Sequence, residues 1–389
     1  MRTVPVFVAV LALAGCSIFR SSETIAGPGY VLVSPFGIDA TERWRQLVAE
    51  DVAAVAALFR TDLPDPPPMI VLDPIDVPES ASVVEHLDPR VDGLGGRTTS
   101  DGRIRIVVGR EKSGLFSTSI HAKLRHELAH LLLFRRSPDA PLWLHEGLAH
   151  QVDDCVDTPT GLAFHPAPVR LALAQASVAE FDMSTLWTWQ STQQLGEKDE
   201  SEHRLFASAF VRFLLEREGR DWPAALPRLA ALRPEADPAL VAAWRTWLDH
   251  LDFVALVEKA AADPDAKIRE AAANALPQLG EAAHAVPALR ESVGARTDAL
   301  ALRLLADPAC WYGASNYLLW FRAAALSQSD VDALRAPASP TLVRLVGIAL
   351  AARRGSAADA DEVRALVGIL PAAERWRVVA LRPFLPGID

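Results

Sequence analysis

The sequence predicts an α+β domain followed by an all-α region. One observation is that residues 29–117 hold three short segments typical of strands around one amphipathic helix. A second observation is that the chain beyond about residue 263 repeats apolar residues at helical spacing only. We therefore place the first domain at residues 29–255 and the helical domain at residues 256–389.

The elements of the first domain follow from local signals. The order is strand, helix, strand, strand, and a turn dipeptide, Asp101-Gly102, precedes the last strand. The strands are expected at residues 30–33, 69–72 and 103–108, and the helix is expected over residues 41–60, where apolar residues recur every three to four positions.

The composition is that of a globular protein with an acidic surface. Half of the 389 residues are hydrophobic and 23% are charged, so the chain can bury a sizeable core. The net charge of −10 argues against a nucleic-acid partner, because such a partner favours a basic face. The cysteines form no disulfide framework, and a bridge between Cys155 and Cys310 stays open at this point.

The first fifteen residues have the pattern of a secretory signal. Arg2 precedes an apolar run that is shorter than the roughly 20 residues needed to span a bilayer. Leu-Ala-Gly-Cys at residues 13–16 resembles the bacterial lipobox, which implies cleavage before Cys16 and lipid attachment to it. With Ser17 next, the resemblance implies a lipid anchor in the bacterial outer membrane, facing the periplasm; an ordinary secreted protein is the alternative. Residues 16–28 are predicted to be a tether.

The segment His126-Glu127-Leu128-Ala129-His130 carries the clearest chemical signal. A helix advances about 100° per residue, so His126 and His130 project from one face, one turn apart. Two imidazoles at this spacing can bind one zinc ion, and Glu127 is placed to take a proton from a metal-activated water. The alternative is a pair of core histidines. The helix is expected to begin after a cap at residues 117–119 and to end near Phe134.

The next helix offers a third ligand. It is expected to start at Pro141 as its first residue, with Gly147 allowing close approach of another helix. Glu146 can point back at the histidines, and three protein ligands leave one position open for water, as in catalytic zinc sites. His145 and His150 are rivals for this role, with His145 otherwise expected to line the groove. Either of two carboxylates, Asp153 or Asp154, would accept a hydrogen bond from a metal-bound histidine.

His-Glu-x-x-His followed by Trp-Leu-x-Glu-Gly-Leu-Ala resembles the gluzincin metallopeptidases, in particular the bacterial peptidase MA-like group and more distantly the aminopeptidase N-like family. The resemblance implies a zincin-like domain, zinc as the cofactor and a protein or peptide as the substrate. It also implies that His126, His130 and Glu146 bind zinc and that Glu127 is the general base. No Gly-x-Met-Glu-Asn motif lies upstream, so an endopeptidase is favoured over an aminopeptidase.

A further helix is expected to begin at His203, after a charged run at residues 197–202 that is typical of a solvated loop. The resemblance places an oxyanion-stabilising tyrosine near the start of this helix, where this sequence has Phe206. His203, one turn earlier, is the candidate catalytic residue for that role, and a surface histidine is the alternative.

Residues 263–293 resemble one HEAT repeat, with a first helix that ends at Gly280 and a second that spans residues 286–293. Residues 341–370 resemble a degenerate second copy. Stacked repeats of this kind imply a surface for a protein partner, while a helical cap without a partner is the alternative.

These patterns together predict a lipid-anchored envelope zinc endopeptidase. The alternative is a non-enzymatic envelope lipoprotein that binds partners through its helical repeats and keeps a residual or structural zinc site. The presence of Glu127 favours the enzyme, because a structural site needs no base. The absence of the tyrosine at Phe206 favours the scaffold.

Overall fold

The computed structural model describes residues 23–34, 38–74, 91–99, 102–110, 119–190, 197–290 and 293–385. The predicted signal peptide and the predicted lipidation site Cys16 lie outside these residues. The chain combines a small β-sheet with many helices, and its carboxyl-terminal region is helical. The predicted combination of a mixed domain and a helical region is therefore confirmed at this level.

The sheet has five strands in the order β1-β2-β3-β5-β4. The middle strands β2, β3 and β5 are parallel, and the outer strands β1 and β4 pair antiparallel to their neighbours. One face of the sheet is buried because alternate residues such as Leu32, Ile70 and Ile104 point into the core. The strands span Glu23–Gly27 (β1), Tyr30–Ser34 (β2), Met69–Pro74 (β3), Val91–Thr98 (β4) and Arg103–Arg110 (β5).

Strand β1 corrects the predicted tether at residues 16–28. Its five residues pair in register with β2, from Glu23 opposite Ser34 to Gly27 opposite Tyr30. The alternating burial along β1 is that of a half-exposed edge strand. The strand is hard to predict because three of its five residues, Glu23, Ala26 and Gly27, are of types depleted in strands.

Helix α1 (Ile38–Leu58) packs its apolar side on the sheet and on the helix that carries the two histidines. Trp44, Val48, Val52 and Val55 are buried, at the spacing that the sequence predicts. This helix joins β2 to β3, so those two strands can run parallel.

The helices around the histidines follow in close succession. They are α2 (Ile120–Arg136), α3 (Leu142–Asp153), α4 (Val169–Ser177), α5 (Met183–Trp187) and α6 (Glu197–Glu218), with a hairpin of β6 (Val156–Thr158) and β7 (Gly161–Ala163) between α3 and α4. Ser119 caps α2, since its side chain accepts a hydrogen bond from the Ala122 amide at 3.1 Å.

Two predicted boundaries are wrong. Pro141 is the residue before α3, which begins at Leu142, and its extended backbone sets the entry of the chain into the helix. Helix α6 begins at Glu197 and not at His203, so the charged run forms its first turns. Acidic residues such as Asp199 and Glu200 stabilise the amino-terminal end of a helix through the helix dipole, which compensates for the lack of an apolar stripe there.

The remaining helices continue to the carboxyl end; the first two complete the first apolar core, and those from Phe253 onward form a second one. This core draws on buried residues from Phe253 to Leu385 and on Val169 from α4, while the first core ends at Leu248. The helices are α7 (Trp222–Ala230), α8 (Pro238–Asp249), α9 (Phe253–Ala261), α10 (Ala266–Ala285), α11 (Ala295–Leu304), α12 (Trp311–Tyr317), α13 (Gln328–Arg335), α14 (Thr341–Arg353), α15 (Ala360–Ile369) and α16 (Arg375–Val378). Among the described residues, none of the helices has the length and hydrophobicity required to cross a membrane.

The predicted HEAT-like pair at residues 263–293 is wrong in detail. Helix α10 continues through Gly280, and the predicted second helix is a short 3₁₀ turn at Pro287–Arg290. A Cβ at Gly280 would lie 2.7 Å from Cγ of Phe321, so this glycine makes room for an aromatic ring and does not end the helix. Residues 341–370 do contain two helices, α14 and α15.

Cys155 and Cys310 are both free thiols. Burial is the main cause that raises the pKa of each, so both are protonated at neutral pH. Cys155 donates to the Gln151 carbonyl oxygen at 3.4 Å and Cys310 donates to the Arg269 carbonyl oxygen at 3.4 Å. Neither thiol is therefore placed as a metal ligand or as half of a disulfide.

A charge network centred on Asp51 ties α1 to α2. Asp51 is fully buried and accepts from Nε of Arg125 at 2.6 Å and from Nδ1 of His121 at 2.8 Å. Arg125 also donates to Asp157 on β6 at 2.7 Å. The hydrogen bond to Asp51 raises the pKa of His121 above its ordinary value, with burial and the charge of Arg125 opposing the shift.

This raised pKa predicts a pH-dependent contribution of His121 to stability. A histidine whose pKa is higher in the folded state stabilises the fold fully below its unfolded pKa of about 6.5, and the contribution is lost as pH rises through the folded pKa. We expect His121→Asn to lower the unfolding free energy by about 0.5 kcal/mol at pH 5.5, because the side chain is partly exposed, and by less at pH 9. Urea denaturation at both pH values measures this difference. His250→Asn, which removes an exposed histidine, is the control, and equal losses for His121→Asn at the two pH values would contradict the prediction.

Candidate metal centre

His126 and His130 lie side by side on α2, as their spacing predicts. Their Nε2 atoms are 3.1 Å apart, and the two residues are only 4% and 9% exposed. A tetrahedral zinc ion with Zn–N bonds of 2.0–2.1 Å holds two nitrogens about 3.3 Å apart. The separation in this protein therefore suits two ligands of one ion.

Glu146 on α3 faces the same point. Its Oε1 lies 3.7 Å from Nε2 of His130, and its Oε2 lies 3.9 Å from Nε2 of His126. The Oε2 atom is buried and accepts no hydrogen bond within the described part of the chain. His126, His130 and Glu146 thus form a buried group whose ligand atoms all lie within 4.8 Å of one another, and the sequence analysis named the same three residues.

Gly147 lets α3 approach α6 closely enough to hold Glu146 in this position. A Cβ at residue 147 would lie 2.4 Å from the carbonyl oxygen of Ala207 and 2.5 Å from Cγ2 of Val211. Any larger residue would push the two helices apart. The predicted close approach at Gly147 is confirmed.

Asp153 orients the first of these histidines. Its Oδ2 accepts hydrogen bonds from Nδ1 of His126 at 3.0 Å and from Nδ1 of His150 at 2.9 Å. Because Nδ1 of His126 carries the proton, its Nε2 keeps a lone pair that points at Glu146 and His130. Burial acts to raise the pKa of Asp153, but the charge of Arg170 and the two histidines hold it well below its usual range.

Asp154 has a different partner. Its Oδ2 accepts from Nε of Arg170 at 3.0 Å, and within the described residues no hydrogen bond joins it to any of the three candidate ligands. Of the two carboxylates named from the sequence, Asp153 supports a ligand histidine and Asp154 fixes Arg170. Nη2 of Arg170 in turn lies 3.6 Å from Oδ1 of Asp153, so this arginine links the two carboxylates.

The centre favours neutral imidazoles. Burial is the largest cause that lowers the pKa of His130 well below its ordinary value, and the nearby His126 and His145 add to the shift. Burial also lowers the pKa of His150 to about 3. Unprotonated imidazole nitrogens bind metals without competition from protons at neutral pH. Burial raises the pKa of Glu146, with the charges of His126 and Arg204 opposing the shift.

His145 is not a groove residue. It is 4% exposed, and its ring packs on Phe134 and His130 with centroid distances of 4.2 and 5.7 Å. Neither of its nitrogens has a hydrogen-bond partner within the described residues, and burial lowers its pKa to about 4. His145 is therefore a buried, neutral ring that packs against His130.

Glu127 is held by a residue that the sequence analysis did not name. The hydroxyl of Thr98, the last residue of β4, lies 2.8 Å from Oε2 of Glu127 and 2.9 Å from its carbonyl oxygen. This contact ties the carboxylate of Glu127 to the end of β4. A threonine at the end of a glycine-rich strand has no local sequence feature that marks this role.

His203 does not contact the centre. Its Nδ1 donates to the Asp199 carbonyl oxygen at 2.7 Å, and its ring packs against Phe181 and Trp189. Within the described residues, no hydrogen bond or ion pair joins it to Glu127 or to the candidate ligands. Phe206 is buried and stacks on Phe181 with centroids 4.0 Å apart, so it is a core residue.

Arg204 on α6 reaches the centre. Its Nε lies 3.4 Å from Oε2 of Glu146. It follows directly after His203 in the sequence, and only the rotation of α6 against α3 decides which of the two side chains faces Glu146. No sequence motif marks Arg204 for this position.

Comparison of the chain with protein-family models, with curated proteins and with solved structures finds no match. The likeness to the gluzincins thus depends on the sequence motifs alone.

Proposed function

We propose that this chain is a zinc metallopeptidase with a zincin-like domain that hydrolyses internal peptide bonds. The observation that carries the proposal is the convergence of His126, His130 and Glu146, with Nε2 atoms 3.1 Å apart and carboxylate oxygens 3.7 and 3.9 Å from them. Lipid attachment at Cys16 and an outer-membrane location facing the periplasm belong to the same proposal. Their support is the lipobox-like sequence at residues 13–16.

The donor set fits zinc. Two neutral imidazole nitrogens and one carboxylate are a common ligand set of catalytic zinc sites, and they leave one position open. The buried Oε2 of Glu146, which accepts no hydrogen bond among the described residues, is the kind of atom that a cation would satisfy. When bound, zinc supplies a Lewis acid that polarises a substrate carbonyl and makes water more acidic.

The residues beside the ligands have separate roles in this proposal. Glu127 takes a proton from the attacking water and then gives it to the leaving amine. Thr98 holds Glu127 in place, and the low exposure of this carboxylate, 4%, strengthens its electrostatic interactions. Strand β4 has a partner strand on one side only among the described strands, so its outer edge can pair with an extended peptide.

The partner of the helical domain is the least constrained element of the proposal. Residues 341–370, whose sequence resembles a degenerate HEAT repeat, form helices α14 and α15, and a helix pair of this kind can contribute to a protein-docking surface. The peptidase proposal does not depend on this partner.

The test of the proposal joins a metal measurement with an activity measurement. Wild type and Glu127→Gln are loaded with zinc, analysed for metal by mass spectrometry and incubated with a broad peptide library. We expect about one zinc per chain in both proteins and a roughly thousandfold slower cleavage by Glu127→Gln, because loss of a general base costs about 10²–10⁴-fold. Glu235→Gln, an exposed residue of the same type, is the control and should cleave at the wild-type rate.

Two results would disprove the peptidase proposal. One is a wild-type protein that binds zinc but cleaves nothing in the library. The other is a Glu127→Gln variant that cleaves as fast as wild type, since the hydrolysis would then come from another site or a contaminant. A chain that binds no zinc would disprove the assignment of the ligands as well.

A further inference from the structure

The sequence motif leaves the candidate active site without an oxyanion donor, and α6 brings an arginine to it. Helix α6 packs against α3 along Gly147, which turns Arg204 toward Glu146. The Nε atom of Arg204 is 3.4 Å from Oε2 of Glu146, whereas His203 and Phe206 face the aromatic residue Phe181. Arg204 is thus the cation of α6 that lies against a candidate ligand.

The side chain of Arg204 extends from the buried centre to solvent. It is 38% exposed overall, yet its Nε is buried and donates no hydrogen bond within the described residues. Its Nη2 forms an ion pair with Glu200, one turn earlier on α6, at 2.6 Å. Glu200 therefore anchors one end of the guanidinium.

The contact with Glu146 is not that of a purely structural ion pair. Arginine and carboxylate partners that exist to neutralise each other usually form two short parallel hydrogen bonds of about 2.7–2.9 Å. Here the closest approach is 3.4 Å and lacks a hydrogen bond, although both atoms are buried. A buried donor without an acceptor costs free energy unless a ligand supplies the acceptor.

We propose that Arg204 is a further catalytic residue, whose guanidinium donates hydrogen bonds to the oxyanion formed during peptide hydrolysis. This inference rests on the proposed function. In the step concerned, the water oxygen bonds to the carbonyl carbon, the water proton passes to Glu127, and the carbonyl π electrons move to oxygen. Arg204 stays protonated and stabilises that negative charge. When the C–N bond breaks, the oxyanion returns to a carbonyl and the proton on Glu127 passes to the leaving amine.

The first test separates catalysis from metal binding. We expect Arg204→Gln to keep its zinc content and melting temperature, to lose roughly a hundredfold in kcat and to change KM little, because the lost contact exists mainly in the transition state. Arg204→Lys keeps the positive charge and should lose less. Arg217→Gln, an exposed arginine on the same helix, is the matched control and should behave as wild type.

The second test does not depend on turnover. Zinc-loaded Glu127→Gln protein, with and without Arg204→Gln, is titrated with inorganic phosphate by calorimetry, because phosphate is a tetrahedral anion. We expect Arg204→Gln to weaken phosphate binding by roughly tenfold to a hundredfold, since a hydrogen bond to a charged group is lost. Imidazole, a neutral zinc ligand, should bind both proteins equally.

The outcomes distinguish the two proposals. If peptides are cleaved but Arg204→Gln leaves kcat of the zinc-saturated protein within about threefold, the role of Arg204 is disproved and the peptidase stands. If no peptide is cleaved while phosphate binding depends on Arg204, the peptidase is disproved and the anion contact stands. The role of Arg204 is also disproved if Glu127→Gln binds phosphate equally well with and without Arg204→Gln, or if neither protein binds phosphate.

Discussion

Replacing His130 with alanine is expected to reduce the zinc affinity of this protein by roughly a thousandfold. Structural zinc sites bind with about 10–16 kcal/mol, so each of three or four ligands contributes about 4 kcal/mol. The remaining pair, His126 and Glu146, supplies only two of the three protein ligands. Asp153→Asn is expected to cost only about 10- to 100-fold, since it removes a hydrogen bond to a ligand and leaves the ligand in place.

Competition with a chromophoric chelator measures these affinities, and thermal unfolding with and without zinc measures the stabilisation by the metal. Wild type should melt at a higher temperature with zinc, and His130→Ala should lose this increase, because a ligand stabilises only the state that binds it. His284→Ala removes an exposed histidine and should have no effect. An unchanged zinc affinity in His130→Ala would place the metal elsewhere in the chain.

Replacing Gly147 with alanine is expected to destabilise the first domain by about 3 kcal/mol. Helix propensity alone predicts the opposite sign, because alanine in a helix is about 1 kcal/mol more favourable than glycine. Packing outweighs propensity here, since the new Cβ would lie 2.4 Å from the backbone oxygen of Ala207 and a backbone atom cannot rotate away. The displaced helix would also move Glu146, so zinc affinity should fall together with stability.

Gly368→Ala provides the matched comparison. Gly368 also lies in a helix, α15, but a Cβ there would meet nothing within 4 Å. This substitution is expected to stabilise the protein by up to about 1 kcal/mol. Chemical denaturation of both variants measures the two changes, and a Gly147→Ala variant as stable as wild type would show that α3 and α6 are not in the close contact described above.

Local periodicity accounts for the predictions that the structure confirms. The spacing of His126 and His130 requires only a helix to bring the two rings together, and a glycine beside Glu146 predicts a close helix approach wherever the partner lies. Burial patterns of α1 and of the central strands follow from the same repeats of 3.6 and 2 residues. These features depend on residues that are near one another in the chain.

The wrong predictions concern segments whose local residues are compatible with more than one structure. Gly280 is a helix-ending residue in many sequences, but here its missing Cβ accommodates Phe321. The charged run before His203 is hydrophilic enough for a loop, but its acidic residues equally suit the start of a helix. The predicted tether has little strand character, yet β1 gains its hydrogen bonds from β2. For Gly280 and for β1, a contact with another segment selected one structure from several that the local residues allow.

The amino-acid order alone was sufficient to name the three candidate ligands and the candidate base, because helix geometry relates His126 to His130 and a short turn relates them to Glu146. The contacts that complete the site join segments distant in the chain: Thr98 of the sheet holds Glu127, and Arg204 of α6 lies at Glu146. Their positions depend on how the sheet and α6 pack around α2 and α3. Because a helix rotation of about 100° exchanges one residue for the next, packing places Arg204 at the centre and turns His203 into the aromatic core.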